Sequence, residues 1–419
     1  MAEKKNLPEI RFKGFTEEWK ENELGAIANF SKGQGYSKKD LVESGTQIIL
    51  YGRLYTKYQA VISKVDTFVD CNGASNYSTG NEVIVPASGE TAEDIARASA
   101  VVKSGILLGG DLNIIYPNNQ VNTVFLAFII SNGKTQRDLS KRAQGKSVVH
   151  LHNSDLKEVV IHYPCYEEQN NISTFIKHLD HLITLHQSKY DKLVNVKKAL
   201  LEKMFPKKDD DVPEIRFKGF EGKWGMKMLG TTKTYFTDGN YGEAYPSAND
   251  LTDRESGVPF LRGNNLSNGV LSKNGANYIT NEKHSELTSG HLVEDDIVIA
   301  VRGSLGALGY VDKANVGWNI NSQLAIIRTY KEELKGNYLI QYLLSDFGQK
   351  IIISKSTGTA LKQLPIGKLK EINIPLTNIE EQSKIGTFFK HLDHLLFLQQ
   401  QELEKLKNIK KACLEKMFV

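Results

Sequence analysis

The chain has 419 residues, of which 40% are hydrophobic and 24% charged, and its formal net charge is +4. The length predicts two or three domains, and the composition is that of a globular protein rather than a disordered one. The modest charge excludes a strongly basic protein, so charge by itself argues only weakly for nucleic-acid binding.

The cysteines and the apolar segments indicate the setting of the protein. Cys71, Cys165 and Cys413 are widely separated and form no zinc or disulfide motif. The first residues contain no apolar run of the signal-peptide kind, and the longest apolar stretch, residues 124–130, is too short to span a bilayer. We therefore expect a cytoplasmic protein with no membrane partner.

The chain opens with a segment that it later repeats. Residues 8–15 read PEIRFKGF and recur letter for letter at residues 213–220. Residues 174–205 recur at residues 387–418, with 21 of 32 positions identical and no gap. The first repeat has an offset of 205 positions and the second an offset of 213, so the two halves share their ends and differ in between. This pattern indicates a duplicated domain with a duplicated connector, not a solenoid of small units.

The region after each opening segment has the pattern of mixed strands and helices. Short β-like runs separated by Gly and Asn predict strands, and a helix-like segment closes each region, at residues 124–142 and 335–355. Each half is therefore predicted to be α+β. The predicted strands include residues 46–50, 82–85, 258–262, 296–302 and 324–327.

Two long amphipathic segments follow these regions. Apolar residues three or four positions apart predict two helices of about 38 residues, or roughly 57 Å, which open at Glu167 and Glu380. Acidic residues favour the positive end of the helix dipole, and Thr377 with Glu380 fits a capping box. Neither helix can bury its apolar stripe alone. We therefore predict that the helices pack antiparallel as a spacer and relate the halves by pseudo-two-fold symmetry.

The sequence contains only fragments of catalytic and metal-binding motifs. Gly145-Lys146-Ser147 resembles the end of a phosphate-binding loop but lacks the first glycine and the preceding strand, and the glycine-rich residues 303–309 are better explained as a turn between strands. His178 and His181, repeated as His391 and His394, share a helical face without further ligands nearby. We expect no catalytic residue, no metal site and no cofactor in this chain.

Polar and aromatic residues in the two differing regions are candidates for nucleic-acid contact. The segment from Tyr51 to Tyr58 interleaves aromatic rings with cations, although an edge strand with solvated side chains explains that pattern equally well. The second half places arginines beside amides and hydroxyls, which can bind bases or phosphate but are also ordinary turn residues. These groups are Arg262-Gly-Asn264-Asn265, Arg302-Gly-Ser304 and Asn319-Ile-Asn321.

These features together resemble the specificity subunit of type I restriction-modification systems. The resemblance rests on the duplicated connectors with their Glu-Glu-Gln openings, and on GKSVVHL at residues 145–151 and GTALKQL at residues 358–364, which precede them. It rests also on YGRLY at residues 51–55, PASGET at 86–91, GGDLN at 109–113, VPFLRGNNL at 258–266 and DIVIAVRGSLG at 296–306.

The resemblance implies target-recognition domains at residues 1–165 and 207–378, held apart by spacer helices at residues 166–206 and 379–419. Each domain would read one half of a split sequence in double-stranded DNA. Because residues 25–150 and 230–358 differ, the target would be asymmetric. The helices would dock two modification subunits, which methylate adenine with S-adenosylmethionine, and restriction subunits would join them to cut DNA with ATP and magnesium. This chain would carry none of those activities.

The resemblance and the local chemistry together give a set of candidate residues. Two alternatives remain open: a helical scaffold that binds protein partners without DNA, and an independent DNA enzyme. DNA contacts are predicted for Tyr51, Arg53, Tyr55, Lys57, Lys146, Arg262, Asn264, Asn265, Arg302, Ser304 and Asn321. Partner docking is predicted for Leu179, Leu182, Leu193, Leu392, Leu395 and Leu406.

Overall fold

The computed structural model describes residues 7–70, 76–145, 148–207, 210–359 and 361–419. They form two compact units. The first unit comprises the chain up to Gln187 together with Glu402–Val419, and the second comprises Ser188–Gln401. Each unit therefore contains one of the two differing regions, the start of one long helix and the end of the other.

The first unit is built on two five-stranded sheets. Their strands are short and mostly antiparallel, and their apolar side chains meet in a core that includes Ile49, Ile84 and Leu108. One sheet has the strand order Ala28–Lys32, Leu112–Pro117, Glu82–Pro86, Ser99–Val101, Val61–Ile62, and the other has Leu41–Val42, Phe68–Val69, Thr46–Ile49, Ser104–Leu108, Tyr77–Thr79. Two-stranded sheets pair Lys20–Glu23 with Val160–Tyr163, and Ser88–Gly89 with Val149–His150.

The second unit has fewer strands in a related arrangement. A four-stranded antiparallel sheet has the order Tyr235–Asp238, Leu324–Arg328, Ile297–Ala300, Leu308–Tyr310, and a three-stranded sheet has the order Asn277–Ile279, Val258–Leu261, Asn319–Ile320. Two-stranded sheets pair Gly225–Met228 with Asn373–Leu376, and Leu266–Ser267 with Val270–Leu271. The α+β prediction is confirmed for both units, and the five predicted strands are present with bounds shifted by a few residues.

The prediction that helical segments close each region is confirmed, and each segment consists of two helices. The first pair is Thr123–Ile130 and Gly133–Arg142, and the second is Gly336–Leu344 and Asp346–Ser354. Between the two helices of each pair, the backbone adopts an extended conformation, at Asn132 and at Ser345. The Ser345 hydroxyl then caps the new helix by accepting the Gly348 N–H at 3.0 Å, a competing hydrogen bond that favours a fresh start over continuation. In the described residues, the remaining short α-helices are Leu24–Ile27, Arg53–Thr56, Ala92–Ile95, Asn153–Lys157, Asn281–Glu286 and Ile366–Lys370, besides single turns of 3-10 helix.

The two long helices have the predicted length. They run from Tyr166 to Lys203 and from Ile379 to Lys416, 38 residues each. Within the first unit, Lys410 near the end of one helix pairs with Asp180 near the start of the other, and within the second unit Lys197 pairs with Asp393 in the same way. Each unit therefore holds an antiparallel pair of helix segments.

The repeated opening segment is a clamp on the ends of the long helices. In the first unit, Arg11 makes a two-point ion pair with the fully buried carboxylate of Glu168, at 2.7 and 2.8 Å, and the Ile10 N–H donates to the Lys416 carbonyl at 3.0 Å. The clamp thus neutralises a buried carboxylate at the start of one long helix and donates a hydrogen bond to a backbone carbonyl at the end of the other.

The second unit repeats these contacts of the clamp, and Arg216 donates in addition to the Glu221 and Gly222 carbonyls. Arg216 binds Glu381 at 2.7 and 2.9 Å, and the Ile215 N–H donates to the Lys203 carbonyl at 2.9 Å. The arginine and the isoleucine of the repeated segment thus make equivalent contacts in the two units.

The start of the second long helix differs from the predicted capping box. Asn378, and not Thr377, supplies the cap, because its side-chain oxygen accepts the Glu381 N–H at 2.9 Å. The Thr377 hydroxyl donates instead to the Glu381 carboxylate, which the clamp also holds. The prediction therefore placed the cap one residue too early. The sequence alone does not reveal that Glu381 faces inward, where it binds Arg216.

Candidate nucleic-acid interface

Several loops converge at one edge of the second unit. Gly239 approaches the loop after Asn319–Ile320 so closely that a side-chain carbon at Gly239 would lie 2.3 Å from the Asn321 backbone. A side-chain carbon at Gly263 would lie 3.4 Å from Ser304, so the loops that carry these two residues are also neighbours. Asn264 and Ser304 are exposed on these loops. The fold therefore brings together polar groups that lie far apart in sequence.

Arg302 is the exposed cation of this cluster. Its guanidinium lies 5.6 Å from the centre of the Tyr241 ring, and its Nε donates to the Gln363 side chain at 3.2 Å. Tyr241 is itself anchored, because its hydroxyl donates to Asp238 at 2.9 Å; burial, together with this hydrogen bond, raises the pKa of Tyr241. These contacts orient the guanidinium and leave it exposed, which is the state that a base- or phosphate-binding arginine needs.

Three other candidates in the second unit form hydrogen bonds within the loops. Asn265 is buried, and its side chain accepts the Arg262 N–H at 2.9 Å and donates to the Asn274 carbonyl at 3.1 Å. Asn321 is also buried and accepts the Gln323 N–H at 3.0 Å. Arg262 is partly buried and donates to the Gly275 carbonyl at 3.0 Å. Their hydrogen bonds shape the turns that present Asn264 and Ser304.

The first unit uses the same close approach with different side chains. A side-chain carbon at Gly33 would lie 1.8 Å from the Gly109 carbonyl oxygen, so only glycine permits this contact between loops. Nearby, the Tyr55 hydroxyl donates to the Ser88 carbonyl at 2.8 Å. Tyr51 packs edge-on against the Tyr55 ring at 6.4 Å and is 40% exposed. An aromatic surface thus occupies the edge of the first unit.

The segment from Arg53 to Thr56 is a short helix, so the edge-strand explanation of its pattern is wrong. Arg53 is buried, and its guanidinium donates to Asp66 at 2.6 Å and to Gln59 at 3.0 Å. The exposed Lys57 pairs with the same carboxylate. Hydrogen bonds from Lys57 and then Arg53 hold the pKa of Asp66 well below its usual range. Arg53 is therefore a structural cation in this conformation. The exposed ammonium of Lys57 forms an ion pair with Asp66.

Some contributors to these edges were not among the sequence candidates. Tyr241 and Gln363 flank Arg302, and Arg97 lies over the Tyr55 and Tyr58 rings at 5.9 and 5.0 Å. The GNYG sequence around Tyr241, an aromatic between glycines, was the available signal for that residue. The contacts of Arg97 and Gln363 depend on long-range folding. The candidate Lys146 lies outside the described residues.

The docking candidates on the long helices divide into two groups. Leu179 and Leu392 are buried, and Leu193 and Leu406 are partly buried within the cores of the units. By contrast, Leu182 is 41% exposed and Leu395, its equivalent 213 positions later, is 50% exposed. Two more equivalent pairs are exposed in the same way: Leu185 with Leu398, and Val196 with Ile409.

The described residues contain neither a metal-binding cluster nor a membrane-spanning helix. In the described parts of the chain, no group of three or more His, Cys, Asp or Glu side chains is arranged to hold a metal ion. The helices formed by the described residues are all too short or too polar to cross a bilayer.

Comparison with known proteins identifies similar chains. The model of the type I restriction modification DNA specificity domain matches residues 16–195 and 241–408. The putative type I restriction enzyme MjaX specificity subunit of Methanocaldococcus jannaschii is 28% identical over 74% of this chain and 70% of its own length. The MjaVIII specificity subunit of the same organism is 21% identical over 98% of this chain and 94% of its own.

Two solved structures share the fold. The crystal structure of the type I restriction-modification S subunit from M. genitalium superimposes with a TM-score of 0.60 at 16% identity, over 99% of both chains. A chain from a structure on the complex assembly and conformational transition of the type I R-M system gives a TM-score of 0.53 at 16% identity, over 94% of this chain and 96% of the other. The arrangement of two recognition domains and two long helices is that of these chains.

Proposed function

This chain belongs to the type I restriction modification DNA specificity family, and we propose that it is the subunit that reads an asymmetric, two-part DNA sequence for a restriction-modification complex. Each unit would contact one half of the target through the loops at its edge. Side chains would read base edges, while lysines and arginines would hold the phosphates.

One observation carries this proposal. Both units bring loops together by the same glycine-permitted approach, at Gly33 and at Gly239, yet the side chains presented there differ. The first unit offers the rings of Tyr51 and Tyr55, and the second offers Arg302 with Asn264 and Ser304. A shared frame with different contact groups is what two different half-sites require.

The proposed recognition domains remain residues 1–165 and 207–378, with spacer helices at 166–206 and 379–419. The compact units cut across these linear bounds, because each unit takes in the end of the opposite helix. Folding each recognition domain against both helices supports a role for the helices in fixing the distance between half-sites.

The exposed apolar residues of the helices support docking of modification subunits. Leu182 and Leu395 are exposed although their neighbours Leu179 and Leu392 are buried. Duplicated apolar positions offer two similar surfaces, which fits two copies of one partner. Methylation with S-adenosylmethionine and cleavage with ATP and magnesium would belong to the modification and restriction subunits, and this chain would be non-catalytic.

Selection from a random DNA library tests the proposal. The full chain is incubated with its modification subunit, and the bound DNA is sequenced. We expect enrichment of one sequence with two defined parts and an unread gap. Enrichment of no sequence would instead favour the protein scaffold, which binds partners without reading DNA. Methyl transfer to DNA by the purified chain with S-adenosylmethionine alone would establish an independent enzyme and contradict the proposal.

A further inference from the structure

A basic cavity lies in the first unit, away from the recognition loops. It has a volume of about 630 Å³ and forms where the start of the helix Gly133–Arg142 meets the two long helices. Its lining contains five cations and two carboxylates, a net side-chain charge of +3. These are Lys134, Arg137, Lys407, Lys410 and Lys411, with Asp180 and Glu415.

The cations of this cavity are only partly neutralised. Lys410 is paired with Asp180, and Lys411 approaches Glu415 at 4.0 Å. Lys134, Arg137 and Lys407 are exposed, and among the described residues they form no ion pair. The helix that begins at Gly133 also lacks a side-chain cap on its first N–H groups. Positive potential is therefore concentrated in a concave site.

The floor of the cavity is apolar. Ile183 and Leu414 line it, together with Phe418, whose ring packs against Phe125 in the core. A site with an apolar floor and a cationic rim fits a segment that inserts one apolar side chain and surrounds it with carboxylates. A DNA backbone offers phosphates but no such apolar anchor.

The equivalent positions of the second unit keep the apolar residues but not the net charge. Positions 213 residues away carry Leu396, Leu201 and Phe205, which are again apolar. Lys134 is replaced there by Phe347, Gly133 by Asp346 and Lys407 by Val194. Asp346 forms an ion pair with Lys198 at 3.1 Å. The corresponding set is Lys350, Lys197 and Lys198 against Asp346, Asp393 and Glu202, so its net charge is zero.

We propose that this cavity is a docking site for an acidic segment of a protein partner, and that it exists in the first unit alone. The long helices duplicate most of their surface, so a partner that binds the helices meets two similar sites. The charge difference at the cavity distinguishes them. A partner with an acidic segment would therefore bind one end of the chain, whether or not the chain reads DNA.

Fluorescence anisotropy with a labelled peptide of four glutamates around one phenylalanine, added to the full chain at low salt, tests the proposal. We expect one peptide per chain. The variant Lys134→Glu/Arg137→Glu/Lys407→Glu should weaken binding by about a hundredfold or more, because three attractive charges become repulsive. The matched control Lys405→Glu lies on the same long helix, is exposed and does not line the cavity, so it should bind as the parent does.

A second variant distinguishes loss of the binding site from misfolding. Lys134→Phe/Lys407→Val introduces the residues that the second unit already accommodates at the same positions, and it should lose binding while keeping its thermal unfolding temperature. Replacing the phenylalanine of the peptide with serine should also weaken binding. Absence of binding to the parent chain, two peptides per chain, or binding unaffected by the charge reversals would each overturn the proposal. The proposal would also be overturned if an unrelated DNA duplex displaced the peptide and if DNA binding required the same three cations. The cavity would then be a nucleic-acid site.

Discussion

At the scale of single residues, charge is divided between structural and exposed roles. Arg11 and Arg216 neutralise the buried carboxylates of Glu168 and Glu381, and the buried Arg53 pairs with the exposed Asp66. Arg302 is held only by a ring and an amide. Because a buried carboxylate that loses its cation keeps its desolvation cost, Arg11 and Arg216 determine stability, whereas Arg302 is available for binding.

Removing Arg216 should therefore destabilise the second unit. We expect Arg216→Ala to lower the free energy of unfolding by about 3 kcal/mol, since Glu381 would be left buried and unpaired. Urea denaturation followed by circular dichroism measures this. Lys223→Ala, which breaks the exposed pair with Asp211, is the control and should have little effect. Equal losses in the two variants would contradict the clamp.

Removing Arg302 should instead affect DNA. We expect Arg302→Ala to weaken binding to the selected target by about 1–3 kcal/mol, to relax specificity in one half-site, and to leave the unfolding temperature unchanged. Competition binding with targets altered in either half checks this. Arg53→Ala provides the contrast, because it should lower the unfolding temperature by removing a buried side chain and its hydrogen bonds to Asp66 and Gln59. An Arg302→Ala variant with unaltered specificity would exclude Arg302 from base readout.

At the scale of elements, the long helices are the parts that the sequence predicts best. Their apolar period, acidic openings and absence of proline predict 38-residue helices, and the length is confirmed. The shorter closing helices were predicted less well. The polar breaks at Asn132 and Ser345 depend on side-chain hydrogen bonds that compete with the helix, and a periodic pattern does not report them.

Lengthening both helices together should change the gap in the target. One heptad inserted after Gln187 and another after Gln401 preserve the apolar stripe and the pairing within each unit. Each adds about 10 Å, or the length of about three base pairs. We expect library selection to return the same half-sites with a longer gap. An unchanged gap would show that the helices do not set the spacing.

At the scale of the whole molecule, duplication separates frame from contact surface. The clamp segments are repeated without change and the long helices at 21 of 32 aligned positions, whereas the loops and the charge of the basic cavity are not repeated. A frame that is common to both units lets either recognition region change without altering the other.

Exchanging one region should therefore change one half-site. We expect a chain whose residues 25–150 come from a relative to select a target with one new half, the old second half and the same gap. Library selection on the parent and the exchanged chain measures this. The reciprocal exchange of residues 230–358 is the control and should change the other half. Alteration of both halves by one exchange would contradict modular recognition.

The sequence by itself determined the features whose causes are local or repeated. Helix length follows from periodicity within one segment, and the division into frame and variable regions follows from comparing the chain with itself. The class of each region also follows, because strand and helix patterns are short-range.

The tertiary structure decided which polar residues are exposed. Arg53 and Arg302 are equivalent candidates by sequence, yet one meets Asp66 and the other lies against Tyr241. Arg11 reaches Glu168 across 157 positions, and Arg302 reaches Gln363 across 61. The role of an arginine depends on the partner that folding brings to it. Partners this distant in the chain are set by the packing of whole elements, which no local pattern encodes.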